Sequence, residues 1–174
     1  MLYLLRHLLS VLILPVTMAV VVPVWIGRAS GTVATMPRSS GAVAAVAAGV
    51  VLVAVGFVLF AASLSQFFAH GRGTLAPWDP PRRLVVRGPY RYVRNPMISG
   101  VLFLLFGTAL CLRSGPHAYW AMTFLAINSV YIPLVEEPML EDRFGDDYRR
   151  YCRHVGRLVP RLSSWDDAGD AACP

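Results

Sequence analysis

The segment Ser39–Ala69 runs thirty-one residues without a charged side chain, and nothing else in the chain restricts its fold as strongly. A helix rises about 1.5 Å per residue, so roughly twenty apolar residues cross a hydrocarbon core about 30 Å thick. Three more uncharged stretches follow the same rule: Leu8–Gly27, Asn95–Leu112 and Ser114–Val135. The pattern predicts an all-α polytopic membrane bundle of about four transmembrane helices, at about 8–27, 42–68, 96–112 and 117–135. The third stretch is the shortest, which leaves open a tilted or partly re-entrant hairpin made with the fourth. Leu8–Gly27 follows Arg6 as a signal peptide would. Its apolar run is longer than a signal core and no A-x-A-like site follows Trp25, so a retained helix is expected, kinked at Pro15 and Pro23.

Composition agrees. The 174 residues are 56% hydrophobic and only 15% charged, too few charges for a soluble domain of this size. All sixteen basic residues are arginine, which with the abundant Ala, Val, Gly and Pro fits a GC-rich bacterial genome. With four spans, Arg6, the arginines between Arg72 and Arg94, and those between Arg143 and Arg161 share one side. That side holds thirteen arginines, against Arg28, Arg38 and Arg113 on the other. The bias places both termini and the Arg72–Arg94 connection in the cytoplasm of a bacterial inner membrane. It also accounts for the net charge of +6 without nucleic acid as a partner. The cysteines and histidines are scattered at spacings that give neither a disulfide framework nor a metal site.

The Arg28–Ser40 segment is rich in Gly, Ser, Thr and Pro and reads as an exposed loop. His70–Arg94 contains too many glycines and prolines for one helix, and its Trp78, Tyr90 and Tyr92 suit a membrane interface. After Glu136-Glu137-Pro138, the residues Leu140, Phe144, Tyr148, Tyr151 and Val155 form an apolar stripe on an otherwise charged helix at about 138–154. Two readings of that helix stand equally: it lies on the bilayer, or it packs as a lid on the mouth of the bundle. Residues 1–162 read as one domain, and 163–174, small and acidic, as a flexible tail.

Three groups of residues are placed on the cytoplasmic side. The glycines of His70-Gly71-Arg72-Gly73-Thr74-Leu75 permit close backbone approach to a ligand, or simply a flexible helix exit. In Gly88-Pro89-Tyr90-Arg91-Tyr92-Val93-Arg94-Asn95-Pro96, Pro96 starts the third helix with Asn95 at its cap. Arg94 then stands where a guanidinium and helix donors can hold a carboxylate. Gly100, one turn on, leaves room for a flat ligand or a close helix neighbour. Glu136 and Glu137 end the fourth span, where carboxylates are costly, and they point to function. Adjacent helical residues face different ways, so one can reach a ligand while the other caps a helix or pairs with an arginine.

Taken in order, the three motifs are G-x-G-T-L-x-P, then G-P-Y-x-x-x-R-N-P-x-x-x-G, then E-E-x-x-L-x-x-x-F-G-x-x-Y-x-x-Y with a late V-P-R. They resemble the isoprenylcysteine carboxyl methyltransferase and phospholipid N-methyltransferase superfamily over roughly Ser65–Arg161. The resemblance implies S-adenosylmethionine as cofactor, bound by a cytoplasmic region that includes Gly71, Gly73, Thr74, Tyr90, Arg94, Asn95, Pro96, Gly100, Glu136 and Glu137. It implies Arg94 and Glu137 as catalytic residues, and a lipid-soluble small acceptor reached from the bilayer. Two positions depart from the carboxyl methyltransferases: Asn95 stands where they usually have His, and Ile98 where an aromatic is frequent. Asn95 tilts the expectation toward a lipid or other small amphiphile over a prenylated protein end. A sterol-reductase-like enzyme using NADPH, and a non-catalytic membrane interaction protein, are the competing readings.

Overall fold

A computed structural model describes residues 12–66, 84 and 86–165. Every regular element among these residues is helical. Helix α1 begins as a π-helix, Leu12–Val21, and continues as an α-helix, Val22–Ala29. Helix α2 is Ser40–Gln66, α3 is Pro96–Leu112 and α4 is Gly115–Tyr131. A π-helical turn, Ile132–Glu136, carries α4 directly into α5, Glu137–His154. A short 3-10 helix, Gly88–Arg91, precedes α3.

Two helical runs, Ser40–Gln66 and Gly115–His154, are long and apolar enough to cross a membrane, while Pro15–Ala29 and Pro96–Leu112 are shorter apolar helices. Only 11% of the apolar window in each long helix is buried within the protein. The core helix of a soluble protein would be covered, whereas these present Val50, Val51, Val55, Phe57, Val58, Ile127, Val130 and Leu134 outward. Such surface is stable against lipid tails and not against water.

Helix α2 packs mainly on α3, through glycines. Gly49, Gly56 and Ser63 recur every seven residues and are the buried positions of α2. A Cβ on Gly56 would lie 2.7 Å from the Gly100 carbonyl oxygen and 2.9 Å from the Leu104 nitrogen. One on Gly49 would lie 2.8 Å from the Gly107 carbonyl oxygen. The two backbones therefore touch, as in membrane helix pairs where small residues replace the missing hydrophobic drive with close packing. The space beside Gly100 is filled by α2, from Gly56 to Phe60.

Helices α3 and α4 are joined by Arg113 and Ser114 alone, and Arg113 closes α3 in the left-handed region (φ 49°, ψ 43°). Its guanidinium donates to the Thr35 carbonyl at 3.1 Å and also to the Thr35 hydroxyl, tying this end to the loop after α1. Both prolines expected to kink α1 are present, with different effects. Pro15 lies inside the π-helical part, and Pro23 stands in the first turn of the α-helical part. In π-helical register the missing Pro23 N–H would have met the Met18 carbonyl, five residues back. That oxygen instead accepts from Trp120 Nε1 on α4 at 3.2 Å. His117, 3% exposed, bridges Ser114 Oγ (2.8 Å) and the Pro23 carbonyl (3.1 Å).

Three features differ from the sequence expectation. Pro138 does sit in the first turn of α5, yet no loop separates α4 from α5, because the π-turn absorbs Pro133 and Pro138 without ending the helix. Helix α5 is broken at Gly145, whose φ of 56° and ψ of −129° only glycine adopts at low cost. The tail does not fray from Ser163: Trp165 is buried and its N–H donates to the Arg91 carbonyl at 3.0 Å, while Arg91 Nε donates back to the Trp165 carbonyl at 3.1 Å.

Candidate functional site

The site forms where α3 begins, α5 begins and the segment after α5 returns. Pro96, without an N–H, starts α3, and Asn95 occupies the cap position. The Asn95 side chain makes no capping bond; its Nδ2 donates to the Arg157 carbonyl at 3.3 Å, as does its backbone N–H at 3.2 Å. The adjacent Arg94 N–H donates to the Gly156 carbonyl at 2.8 Å, and Arg161 N–H to the Tyr92 carbonyl at 2.9 Å. Ser99, 1% exposed, shares its hydroxyl proton between the Leu158 (2.8 Å) and Asn95 (3.0 Å) carbonyls. These bonds lace residues 156–165 along residues 91–99 as a strap.

The apolar stripe of α5 lies under this strap. Tyr148, Tyr151, Val155 and Trp165 form a buried cluster against which Leu84, Val86, Leu140, Phe144 and Cys152 pack. The Tyr151 hydroxyl donates to the Tyr90 carbonyl at 2.5 Å. His154 stacks on Trp165 with ring centroids 5.2 Å apart. All five stripe residues thus pack against protein, in one cluster with Trp165.

Glu137 is the hub. Arg157 Nε donates to its Oε1 at 2.7 Å and Nη2 to its Oε2 at 2.8 Å, a side-on fork. Arg94 Nη1 approaches the same Oε1 at 3.0 Å and donates to Cys152 Sγ at 2.6 Å. The fork from Arg157 holds the Glu137 carboxyl below its ordinary range, with the Arg94 charge adding to it against the opposing effect of burial. Arg157 in turn is pushed up, first by its hydrogen bond to Glu137. Arg94 Nε is buried and has no partner among the described residues.

Glu136, one residue earlier and just past the apolar span that ends at Val135, is a different group. It makes no hydrogen bond or ion pair among the described residues. Burial first, and the Glu137 charge second, push its pKa up to about 7. Tyr90 is raised by burial and then by the charge of Glu136, so the two groups feel one another.

Of the residues expected to form the site, Arg94 and Glu137 meet directly, Asn95 and Pro96 frame Arg94, and Tyr90 lies by Glu136. Gly100 faces α2. Gly71, Gly73 and Thr74 lie outside the described residues. Sequence reasoning missed Arg157, Cys152 and Trp165. A lone tryptophan in a small, acidic tail was the available signal for the strap; Arg157 carried none beyond the general run of arginines. No cluster of His, Cys, Asp and Glu able to hold a metal occurs among the described residues.

The chain is similar to methanethiol S-methyltransferase 1 of Bradyrhizobium diazoefficiens, at 35% identity over 74 residues, 41% of this chain and 24% of that protein. It is also similar to the methanethiol S-methyltransferase of Pseudomonas deceptionensis, at 34% identity over 76 residues, 42% of this chain and 27% of that protein. The chain thus spans about a quarter of the length of these curated relatives. No solved structure matches it significantly. The profile of the phospholipid methyltransferase family matches residues 44–147, from near the start of α2 through the Arg94 and Glu137 motifs into α5. The chain belongs to the phospholipid methyltransferase family.

Proposed function

We propose that the protein is an S-adenosylmethionine-dependent methyltransferase acting on a membrane-dissolved amphiphilic acceptor at the cytoplasmic face, with four spans and both termini in the cytoplasm. The observation that carries the reading is the buried Nε of Arg94, without a partner among the described residues, on a guanidinium paired with Glu137, the residue next to Glu136. A donor edge of fixed positive charge suits the cofactor's carboxylate, and a nearby carboxylate suits its ammonium or ribose hydroxyls. The donor set fits the cofactor on both counts. Gly71, Gly73 and Thr74 complete the proposed cradle, with Tyr90, Asn95 and Pro96 shaping its wall.

The chemistry this cofactor supplies when bound is a methyl group activated on a sulfonium. The protein's part is positioning, which accounts for much of the rate gain in a displacement between two held partners. Arg94 orients the carboxylate end, while Arg157 holds Glu137 in its fork. A carboxylate acceptor needs no base. A thiol or an ammonium must lose a proton as the new bond to carbon forms, and Glu136, with its pKa near 7, is better matched to receive it than Glu137. This assigns the proton-accepting part to Glu136, beside Glu137, which the motif resemblance names as catalytic. The outward apolar faces of α2 and α4 let an acceptor with an apolar body arrive through the bilayer. The names of the relatives bring a small thiol into the same class of membrane-soluble acceptors.

Isothermal titration of the purified chain in detergent with S-adenosylhomocysteine and with NADPH tests the cofactor. Tight binding of the first alone is expected; binding of NADPH alone, or of neither, overturns the reading. Incubation with methyl-labelled cofactor and either total bacterial lipid or methanethiol then tests the acceptor. Label confined to water-soluble polar metabolites or folded proteins would refute access from the bilayer.

A further inference from the structure

The two arginines at Glu137 use different edges of their guanidinium groups. Arg157 offers Nε and Nη2, the edge whose parallel N–H bonds match both oxygens of a carboxylate. Arg94 offers only Nη1, shared between Glu137 Oε1 and Cys152 Sγ. Its own Nε and Nη2 edge is left without a partner among the described residues, with Nε buried. An unpaired buried donor on a cation is costly, and the Glu137 carboxylate already touches the same guanidinium through Nη1. Glu137 instead turns both of its oxygens to the Arg157 fork and meets Arg94 only at Nη1.

We propose that Arg157 is a positioning residue that holds Glu137 away from the side-on edge of Arg94 and thereby keeps that edge open for the carboxylate of an incoming ligand. The proposal rests on the reading of Arg94 given above. Arg157 is fixed in the right place by the strap: its carbonyl accepts both the backbone N–H and the Nδ2 of Asn95, the residue that follows Arg94. It is also the outer of the two arginines, with a side chain 38% exposed against 11% for Arg94. The inner arginine meets the ligand and the outer one restrains the competitor.

The test is titration of the full chain in detergent with S-adenosylhomocysteine and with 5′-methylthioadenosine, which has no carboxylate. Arg157→Ala should weaken S-adenosylhomocysteine roughly ten- to a hundredfold, the range of a charged hydrogen-bonded contact, and leave 5′-methylthioadenosine unchanged. Arg157→Lys should rescue little, because an ammonium cannot form the fork. Arg157→Ala combined with Glu137→Gln should recover most of the lost affinity, since no charged competitor remains. A double variant weaker than Arg157→Ala, equal loss for both ligands, or Arg157→Ala within about twofold of wild type would each overturn the proposal. If Arg157→Ala does not fold, Arg157→Lys and Arg157→Lys with Glu137→Gln make the same comparison. Failure of the wild type to bind S-adenosylhomocysteine would instead sink the reading of Arg94.

Discussion

Glu136 and Glu137 are neighbours in the chain with opposite electrostatics: two arginines hold Glu137 in its charged form, while burial and the charge of Glu137 hold Glu136 toward its neutral form. The pair therefore acts on stability in opposite directions. Glu136 has a folded pKa above its unfolded value, so its contribution is full below about 4.5 and declines as pH rises to about 7. Glu137 has a lowered pKa, so its contribution is present above its ordinary range and lost only in more acidic solution. Between these limits Glu136 alone of the two titrates. Thermal unfolding in detergent from pH 5 to 8 should show wild-type stability falling by up to about 1.4 kcal/mol per pH unit. Glu136→Gln should flatten that slope and be the more stable protein at pH 8. An equal slope in both proteins would remove Glu136 as its source.

Gly56→Ala places a Cβ against two backbone atoms of α3, which have no rotamer by which to yield. The helices must separate, at a cost of about 2–3 kcal/mol for overpacking of this kind. Gly41→Ala, at the start of the same helix with nothing within 4 Å of the new atom, should be neutral or gain up to about 1 kcal/mol of helix propensity. Apparent melting temperatures of the two variants, measured side by side, separate backbone contact from propensity.

Trp120→Phe keeps the apolar bulk on α4 and removes the donor to Met18. The orphaned carbonyl should cost about 1–2 kcal/mol, felt mainly in α1. Hydrogen exchange of Val22–Ala29 is the direct readout, and faster exchange there with little change in α2 is expected.

Trp165→Ala empties the centre of the cluster beneath the strap. Loss of a buried tryptophan costs about 3–5 kcal/mol when the fold cannot close around it, and here the loss should release the strap before the bundle. Trypsin should then cut at Arg161 much faster than in wild type, while Ser40–Gln66 stays protected. Unchanged cleavage would mean that the hydrogen bonds to Tyr92, Arg94 and Asn95 hold the strap without its anchor.

The helices were legible in the sequence because a run without charges has one physical reading at this length; Pro96–Leu112 was delimited by Arg94, Pro96 and Arg113. The α2–α3 seam was not, since a glycine in an Ala-rich helix looks the same whether it meets lipid or backbone. The continuity of α4 and α5 was hidden because Pro138 signals a helix start and a π-turn has no residue signature of its own. Arg94 and the glutamates stood out as charges at span ends. Their division of labour depended on Arg157, twenty residues from Glu137, and no local rule connects residues across a returning strap.

The glycine seam also fixes how far along α2 the first turn of α3 stands. Arg94 stands two residues before α3, Gly100 engages α2 in the second turn of that helix, and Gly107 engages it two turns further on. Two interlocked points prevent sliding as well as separation. The position of the Arg94 guanidinium relative to α2 is therefore set by backbone contacts well away from it. A side chain added midway along α2 would move Arg94 relative to that helix, making a silent stretch of apolar sequence the ruler that places a distant charge.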